Sequence, residues 1–323
     1  MLTGPTPSAV PLLAPGARVA LVAPAGPLLE LDDVRRAEEL VRALGWEPVT
    51  AANASNRWLW FAGTDDDRLN GLNAALRAAT IDAIWCLRGG YGMTRILDRV
   101  DFAALRRRPR PVIGYSDITA LLVACLRETS LMTFHAPMAA SPLTPFSRFH
   151  LDQVLTRPVA AGRLGAIAPP ADVLVPRAER VVTVLPGIAE GRLVGGNLTL
   201  LQCLVGTKWA PELDGAILFI EDVGEDLYRI DRMLHHLRGA RLLERVAGVA
   251  VGRFTDMKRE MGDGVASLDD VLRGVFEPLG IPVAHGFPIG HIESQWTVPL
   301  GARARLDATR GELELLEPAV RAR

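Results

Sequence analysis

The stretch Pro111–Leu122, PVIGYSDITALL, decides the fold. It opens on the apolar residues Pro111, Val112 and Ile113, as a buried strand does, and Gly114 gives the backbone freedom where that strand ends. Ser116 sits at the bend. Asp117 through Leu122 then reads as the start of a helix that continues to Thr129. The same strand–turn–helix grammar recurs upstream. RVALVAPAG (Arg18–Gly26) is a buried strand ending in a Pro/Gly loop, and LDDVRRAEELVRALG places Val34, Ala37, Leu40, Val41 and Leu44 at helical spacing before Gly45. IDAIWCL is a strand, RGGYG a glycine turn and MTRILDRV a helix. Apolar strands alternating with helices predict a parallel sheet covered on both faces. In such sheets ligands bind at the loops beyond the strand C-termini, and RGGYG and GYSD are both loops of that kind.

A chain of 323 residues is long enough for about two domains. From about Leu155 to Val184 Pro, Ala, Gly and Arg dominate and periodicity fades, which reads as a linker with irregular strands. Beyond it come GGNLTLL, the strand LFIEDVGE, the helix DLYRIDRMLHHLRGARLLERV, the strand AGVAVGRF, a helix near Leu268–Phe276 and a strand-rich tail. The expected organisation is α/β throughout. An N-terminal domain over residues 1–157 carries the parallel sheet, and a mixed, strand-rich α/β domain covers residues 158–323.

Composition narrows the partners. Hydrophobic residues make up 49% and charged residues 23%, as in a well-packed globular protein. The 36 basic and 37 acidic residues leave a net charge of −1, which gives no electrostatic reason to expect nucleic acid or an anionic membrane. Cys86, Cys125 and Cys203 are odd in number and far apart, which suits a reducing compartment. The N-terminus lacks a basic n-region, and no run of 18 apolar residues occurs. The expectation is a cytoplasmic protein without a membrane span.

Ser116 has two readings. Serine is a good helix cap, and capping serines are common. A serine on a strand-to-helix turn is also how a nucleophile is presented, with the amide of Asp117 directed from the positive end of the helix. Gly114-Tyr115-Ser116-Asp117-Ile118 resembles the GxSxG elbow but lacks its second glycine. The glycines of CLRGGYG (Cys86–Gly92) let backbone approach a ligand and aim N–H groups at it, yet neither a Walker A loop nor GxGxxG is present. Glu221-Asp222 ends an apolar strand, where carboxylates either cap the next element or orient a histidine. Among six histidines, His235 and His236 lie on a charged helix and read as surface residues, and His135 reads as a strand-end histidine. HGFPIGHIE brings His285, His291 and Glu293 together, but without HExxH or HxH spacing a base at His291 is the stronger reading than a metal site. RRRPR (Arg106–Arg110) reads as a solvated face or helix end, and Asp65–Asp67 as a helix N-terminus.

Taken together, RGGYG, GYSD, GGNLTLL, FIEDVGEDLYRIDRML and GFPIGHIESQWTVPLGARARLD, in that order, resemble the LD-carboxypeptidase family of serine peptidases from about Arg18 to Asp307. That family includes murein tetrapeptide carboxypeptidases and microcin C immunity proteins. The resemblance implies a flavodoxin-like N-terminal domain that supplies a serine and a second domain that supplies a glutamate and a histidine. Carried onto this chain, these are Ser116, Glu221 and His291, with backbone amides of Gly90 and Asp117 as the oxyanion hole. Arg88, beside the glycine loop, is the expected partner of a substrate carboxylate. No cofactor and no metal are implied. The implied substrate is a small muropeptide cut at the L,D bond to its terminal D-Ala during peptidoglycan recycling; a peptidyl-nucleotide is the alternative, and a non-catalytic binding module a third reading. Many members form homodimers, though no interface is legible here. Ala136, in TFHAPM, stands where the family carries glycine.

Overall fold

The computed structural model describes residues 6–30, 32–167, 180–257 and 266–322, so most of the irregular stretch before Val184 lies outside the described residues. The chain forms two compact units. One comprises Gly4–Ala160 with Thr297–Ala302 and Pro318–Arg323, the other Ala161–Trp296 with Arg303–Glu317.

The first unit runs β1 (Val10–Pro11), β2 (Arg18–Val22), α1 (Asp33–Ala43), β3 (Glu47–Thr50), α2 (Asp65–Arg77), β4 (Ala83–Cys86), α3 (Met93–Ile96), α4 (Phe102–Arg107), β5 (Val112–Gly114), α5 (Thr119–Thr129), β6 (Thr133–His135) and α6 (Pro145–Leu155). Its main sheet has the order β13-β6-β5-β4-β2-β3, where β13 (Val298–Leu300) returns from late in the chain. Strands β3, β2, β4, β5 and β6 are parallel, and β13 is antiparallel to β6. This is the flavodoxin-like order, with its switch point between β2 and β4. Strands β4 and β5 are buried at every residue, as a sheet covered on both faces requires. Edge strand β3 is the more exposed one and tolerates Pro48. Helix α2 starts on a capping box, in which Thr64 accepts from the Asp67 amide and Asp67 accepts from the Thr64 amide. A short parallel pair of β1 with β16 (Val320–Arg321) joins the two chain ends.

The second unit contains β7 (Gly162–Arg163), β8 (Val182–Leu185), β9 (Ile188–Asn197), α7 (Leu198–Cys203), β10 (Ile217–Val223), α8 (Leu227–Gly239), β11 (Gly248–Thr255), α9 (Leu268–Phe276), β12 (Val283–His285), β14 (Arg303–Asp307) and β15 (Glu312–Leu315). Its sheet has the order β7-β15-β14-β9-β10-β11-β12-β8. A parallel centre of β9 to β12 is flanked by antiparallel strands, which makes the sheet mixed. Helices α8 and α9 bury Ile230, Met233, Leu234 and Leu237, and Val271, Leu272, Val275 and Phe276.

Candidate active site

In the first unit, the loops after β2 and β4 meet at the switch point, where the Gly26 amide donates to Gly89 O at 2.8 Å. Beside them β5 ends and the chain enters a 3-10 turn, Ser116–Ile118, ahead of α5. Ser116 holds φ +58°, the left-handed region, which costs a residue with a Cβ about 1–2 kcal/mol. The N-cap positions of the 3-10 turn and of α5 fall on Tyr115 and Ile118, so Ser116 occupies neither. The glycine loop packs onto the serine. A Cβ on Gly89 would lie 2.9 Å from Ser116 Cβ, 3.1 Å from its Oγ and 3.3 Å from the Asp117 amide nitrogen. No other residue type fits that approach. Gly90 follows with φ +94° and lies against Gly26.

Asp117 fixes the distance between turn and loop. Its buried carboxylate accepts from the Met93 amide at 2.8 Å, at the start of α3 immediately after the glycines. Burial pushes its carboxyl up to about 6, while the Met93 and Gly92 amides and Arg68 pull the other way. Arg68 is a residue that sequence reasoning does not single out. Fully buried, it donates to Pro24 O at 2.6 Å and to Gly92 O at 2.9 Å, bracing both loops, and its guanidinium lies 4.7 Å from the Phe61 ring centre. In the sequence it is one arginine in DDDRLN, directly after the acidic residues of a helix N-terminus, and nothing there marks it. Arg88 donates to Pro27 O and so is held along the β2 loop.

In the second unit, β10 carries Glu221 and Asp222 to opposite tasks. Asp222 accepts from Asn197 Nδ2 at 2.8 Å and from the Thr199 amide and hydroxyl at 2.9 and 2.8 Å, securing the start of α7. Glu221, fully buried, meets His291 Nδ1 at 2.8 Å through Oε2. Burial raises the Glu221 carboxyl above its usual range; His291 acts against that, as does the Asn197 amide. The histidine reaches this position because β11 bulges. Its register against β10 shifts between Ile220 and Asp222, and at the shifted residues the Arg253 amide donates to Ile289 O at 2.8 Å. Gly290 then crosses directly over the carboxylate with φ +120°, where a Cβ would lie 2.8 Å from Glu221 Oε2.

The residues expected from sequence thus fall into two groups. Ser116, Asp117, Arg88 and the glycine loop belong to the first unit, and Glu221 with His291 to the second. His285 pairs with Asp269 at 2.7 Å rather than with His291, and Glu293 is exposed. Among the described residues, no three His, Cys, Asp or Glu side chains are grouped as a metal would need. His235 is exposed on α8 and faces Asp231 at 3.5 Å. The basic run departs from its solvated reading at one residue: Arg110 is buried and donates to Ala75 O and Ala78 O at 3.2 and 3.0 Å. No helix among the described residues is long and apolar enough to cross a membrane.

Comparison with known proteins identifies two matching family models. A family model described as the LD-carboxypeptidase N-terminal domain matches residues 19–136, and the corresponding C-terminal domain model matches residues 190–306. A putative carboxypeptidase of Streptomyces coelicolor is 38% identical across 95% of this chain and 96% of its own. A murein tetrapeptide carboxypeptidase of Pseudomonas aeruginosa is 33% identical across 91% and 94%. Among solved structures, MccF in complex with glutamyl sulfamoyl guanosine shares the fold at a TM-score of 0.87 and 24% identity, covering 98% of this chain and all of that one.

Proposed function

The chain belongs to the LD-carboxypeptidase family of serine-type carboxypeptidases, and from that premise we propose that it removes the terminal D-Ala of murein tetrapeptide by hydrolysing an L,D peptide bond, in cytoplasmic peptidoglycan recycling. Ser116 is the nucleophile in this reading, His291 the base and Glu221 the residue that orients it. His291 Nε2 takes the hydroxyl proton as Ser116 Oγ attacks the scissile carbonyl. The tetrahedral oxyanion is held by the amides of Asp117 and Gly90. His291 then returns the proton to the departing D-Ala amine, leaving an acyl-serine. Water, deprotonated by the same imidazole, hydrolyses the ester and restores the serine. Glu221 keeps the imidazole proton on Nδ1, so that Nε2 remains the acceptor, and stabilises the imidazolium.

The observation that carries this reading is the 2.8 Å pair of Glu221 with His291, made inside a buried carboxylate pocket that only glycine at position 290 permits. A carboxylate placed there for stability alone would be a poor choice, since burial disfavours its charge. The substrate assignment is supported by the murein tetrapeptide carboxypeptidase relative. D-Ala release from purified murein tetrapeptide, with wild type and Ser116→Ala side by side, tests both parts. Release by wild type alone is expected. Release by both would refute the nucleophile. Release by neither, from folded protein, would refute the substrate and turn attention to peptidyl-nucleotides.

A further inference from the structure

The segment Trp58–Phe61 closes on itself beside the glycine loop. The Trp58 amide donates to Phe61 O at 3.0 Å and the Phe61 amide to Trp58 O at 2.9 Å, which puts Leu59 (φ +52°) and Trp60 at a tight tip. Phe61 is buried and serves as the base of the structure. Gly92 lies so close to it that a Cβ there would fall 2.6 Å from Phe61 Cδ1, and Arg68 and Arg95 lie 4.7 and 5.2 Å from its ring centre. Three rings stand around this base, with Trp58 at 5.8 Å, Trp60 at 6.2 Å and Tyr91 at 5.4 Å between ring centres. Yet Trp58, Trp60 and Tyr91 remain 44%, 69% and 52% exposed. Large rings held in fixed positions and left open to water mark a binding surface more often than a core that failed to close.

Tyr91 belongs to the same loop as Gly89, which packs on Ser116. We propose that Trp58, Trp60 and Tyr91 form a platform for a sugar ring attached to the substrate on the acyl side of the cleaved bond. This rests on the murein-peptide reading above. In that substrate three residues separate the scissile carbonyl from the muramyl sugar, a span of roughly 10 Å when extended. Tyr91 lies two residues beyond Gly89, at most about 7 Å of backbone, and Gly89 packs on Ser116, so a span of that length reaches the near edge of the platform. A pyranose offers an apolar C–H face with polar edges. Indole and phenol rings match that combination, since each pairs a broad apolar face with a polar atom at its edge.

The test compares kcat/KM for N-acetylmuramyl tetrapeptide and for the same tetrapeptide without sugar, in wild type, Trp60→Ala, Trp60→Phe and Trp58→Ala. Wild type is expected to favour the sugar-bearing substrate by about tenfold, mostly through KM. Both alanine variants bring the ratio toward one, and Trp60→Phe restores most of it. Equal ratios in wild type and Trp60→Ala, or no preference in wild type, would overturn the platform while leaving the peptidase assignment standing. Cleavage of neither substrate by wild type would overturn that assignment and the platform with it. Sedimentation of each variant supplies the other control: a dimer that Trp60→Ala converts to monomer would assign the rings to self-association instead.

Discussion

Glu221→Gln should separate activity from stability in opposite directions. Glutamine preserves volume and one carbonyl oxygen, but it removes the charge facing the His291 imidazole at 2.8 Å. Hydrogen bonds to charged groups contribute about 1.5–3 kcal/mol, which corresponds to about 10- to 150-fold in rate if the bond matters only when the imidazolium forms. The amide adds a second penalty. If its NH2 turns toward Nδ1, it favours the tautomer with the proton on Nε2, which leaves the proposed base without its free lone pair; replacing an orienting carboxylate by its amide has cost about 10⁴-fold in a serine protease. The expected loss in kcat/KM is therefore about 10²- to 10⁴-fold. Stability should respond otherwise. Burial raises the Glu221 pKa above its ordinary 4.5, so between that value and the raised one the folded chain binds more protons than the unfolded chain. Stability falls as pH rises through that window, and glutamine removes the slope. Relative to wild type, the variant should gain stability as pH rises above 4.5 in urea titrations made on the same preparations as the kinetics. Activity within threefold of wild type would refute the orienting role. A stability difference that moves against the variant with rising pH would refute the account of the buried carboxylate.

Three further outcomes are expected. Ser116→Gly relieves a left-handed strain of about 1–2 kcal/mol and adds about 0.5–1 kcal/mol of chain entropy to lose, so its thermal midpoint should equal or slightly exceed that of Ser116→Ala, which keeps the strain; both should be inactive, and a more stable alanine variant in calorimetry would contradict the strained turn. Gly290→Ala forces a Cβ to within 2.8 Å of Glu221 Oε2 at φ +120° and should lower kcat at least about tenfold, with strain of this kind costing about 1–3 kcal/mol; unchanged kcat in a folded variant would show that the close approach is dispensable. Asp117, raised by burial to about 6 from 3.8, should take about 3 kcal/mol from stability as pH rises through that interval. Denaturant titrations from pH 4 to pH 6 should show that slope reduced in Asp117→Asn, and identical slopes would exclude Asp117 as its source.

The range of each interaction decides whether it can be read from the sequence. The strand PVIGY and the helix after it are local: apolar runs, glycine and a polar bend are enough to place them, and both lie where periodicity puts them. Strands β2, β4 and β5 emerge from the same alternation. Strand β13 does not, because Val298–Leu300 joins β6 across more than 160 residues and three residues carry no pattern of their own. The bulge in β11 is equally silent, since GVAVGRFT alternates like any buried strand. Arg68 and Arg110 show the limit most clearly. Arg110 sits in a basic run that reads as solvated and Arg68 directly after acidic residues that read as a helix N-terminus, yet each is buried because backbone carbonyls converge on its guanidinium from elsewhere in the fold. Phe61 and its exposed neighbours are likewise illegible, since RWLWF carries no spacing that distinguishes a platform from a core turn.

The features that do least for folding lie at the ends of central strands in both units. In the first, Ser116 takes up a left-handed conformation immediately after β5, although a glycine there would relieve it. In the second, Glu221 loses its hydration at the end of β10, although an apolar side chain would avoid that cost. Around each, glycine is required by contact and not by turn chemistry alone: Gly89 against Ser116 Oγ, Gly290 against Glu221 Oε2. Strain at one site and a buried charge at the other are independent costs, and neither stabilises its own unit. Their persistence is accounted for if each holds a reactive group in a fixed orientation, the hydroxyl in one case and the imidazole in the other. A chain selected for binding alone would have no reason to retain both. It could take glycine at 116 and glutamine at 221 with a gain in stability, and this is the pair of substitutions whose stability and activity should move apart.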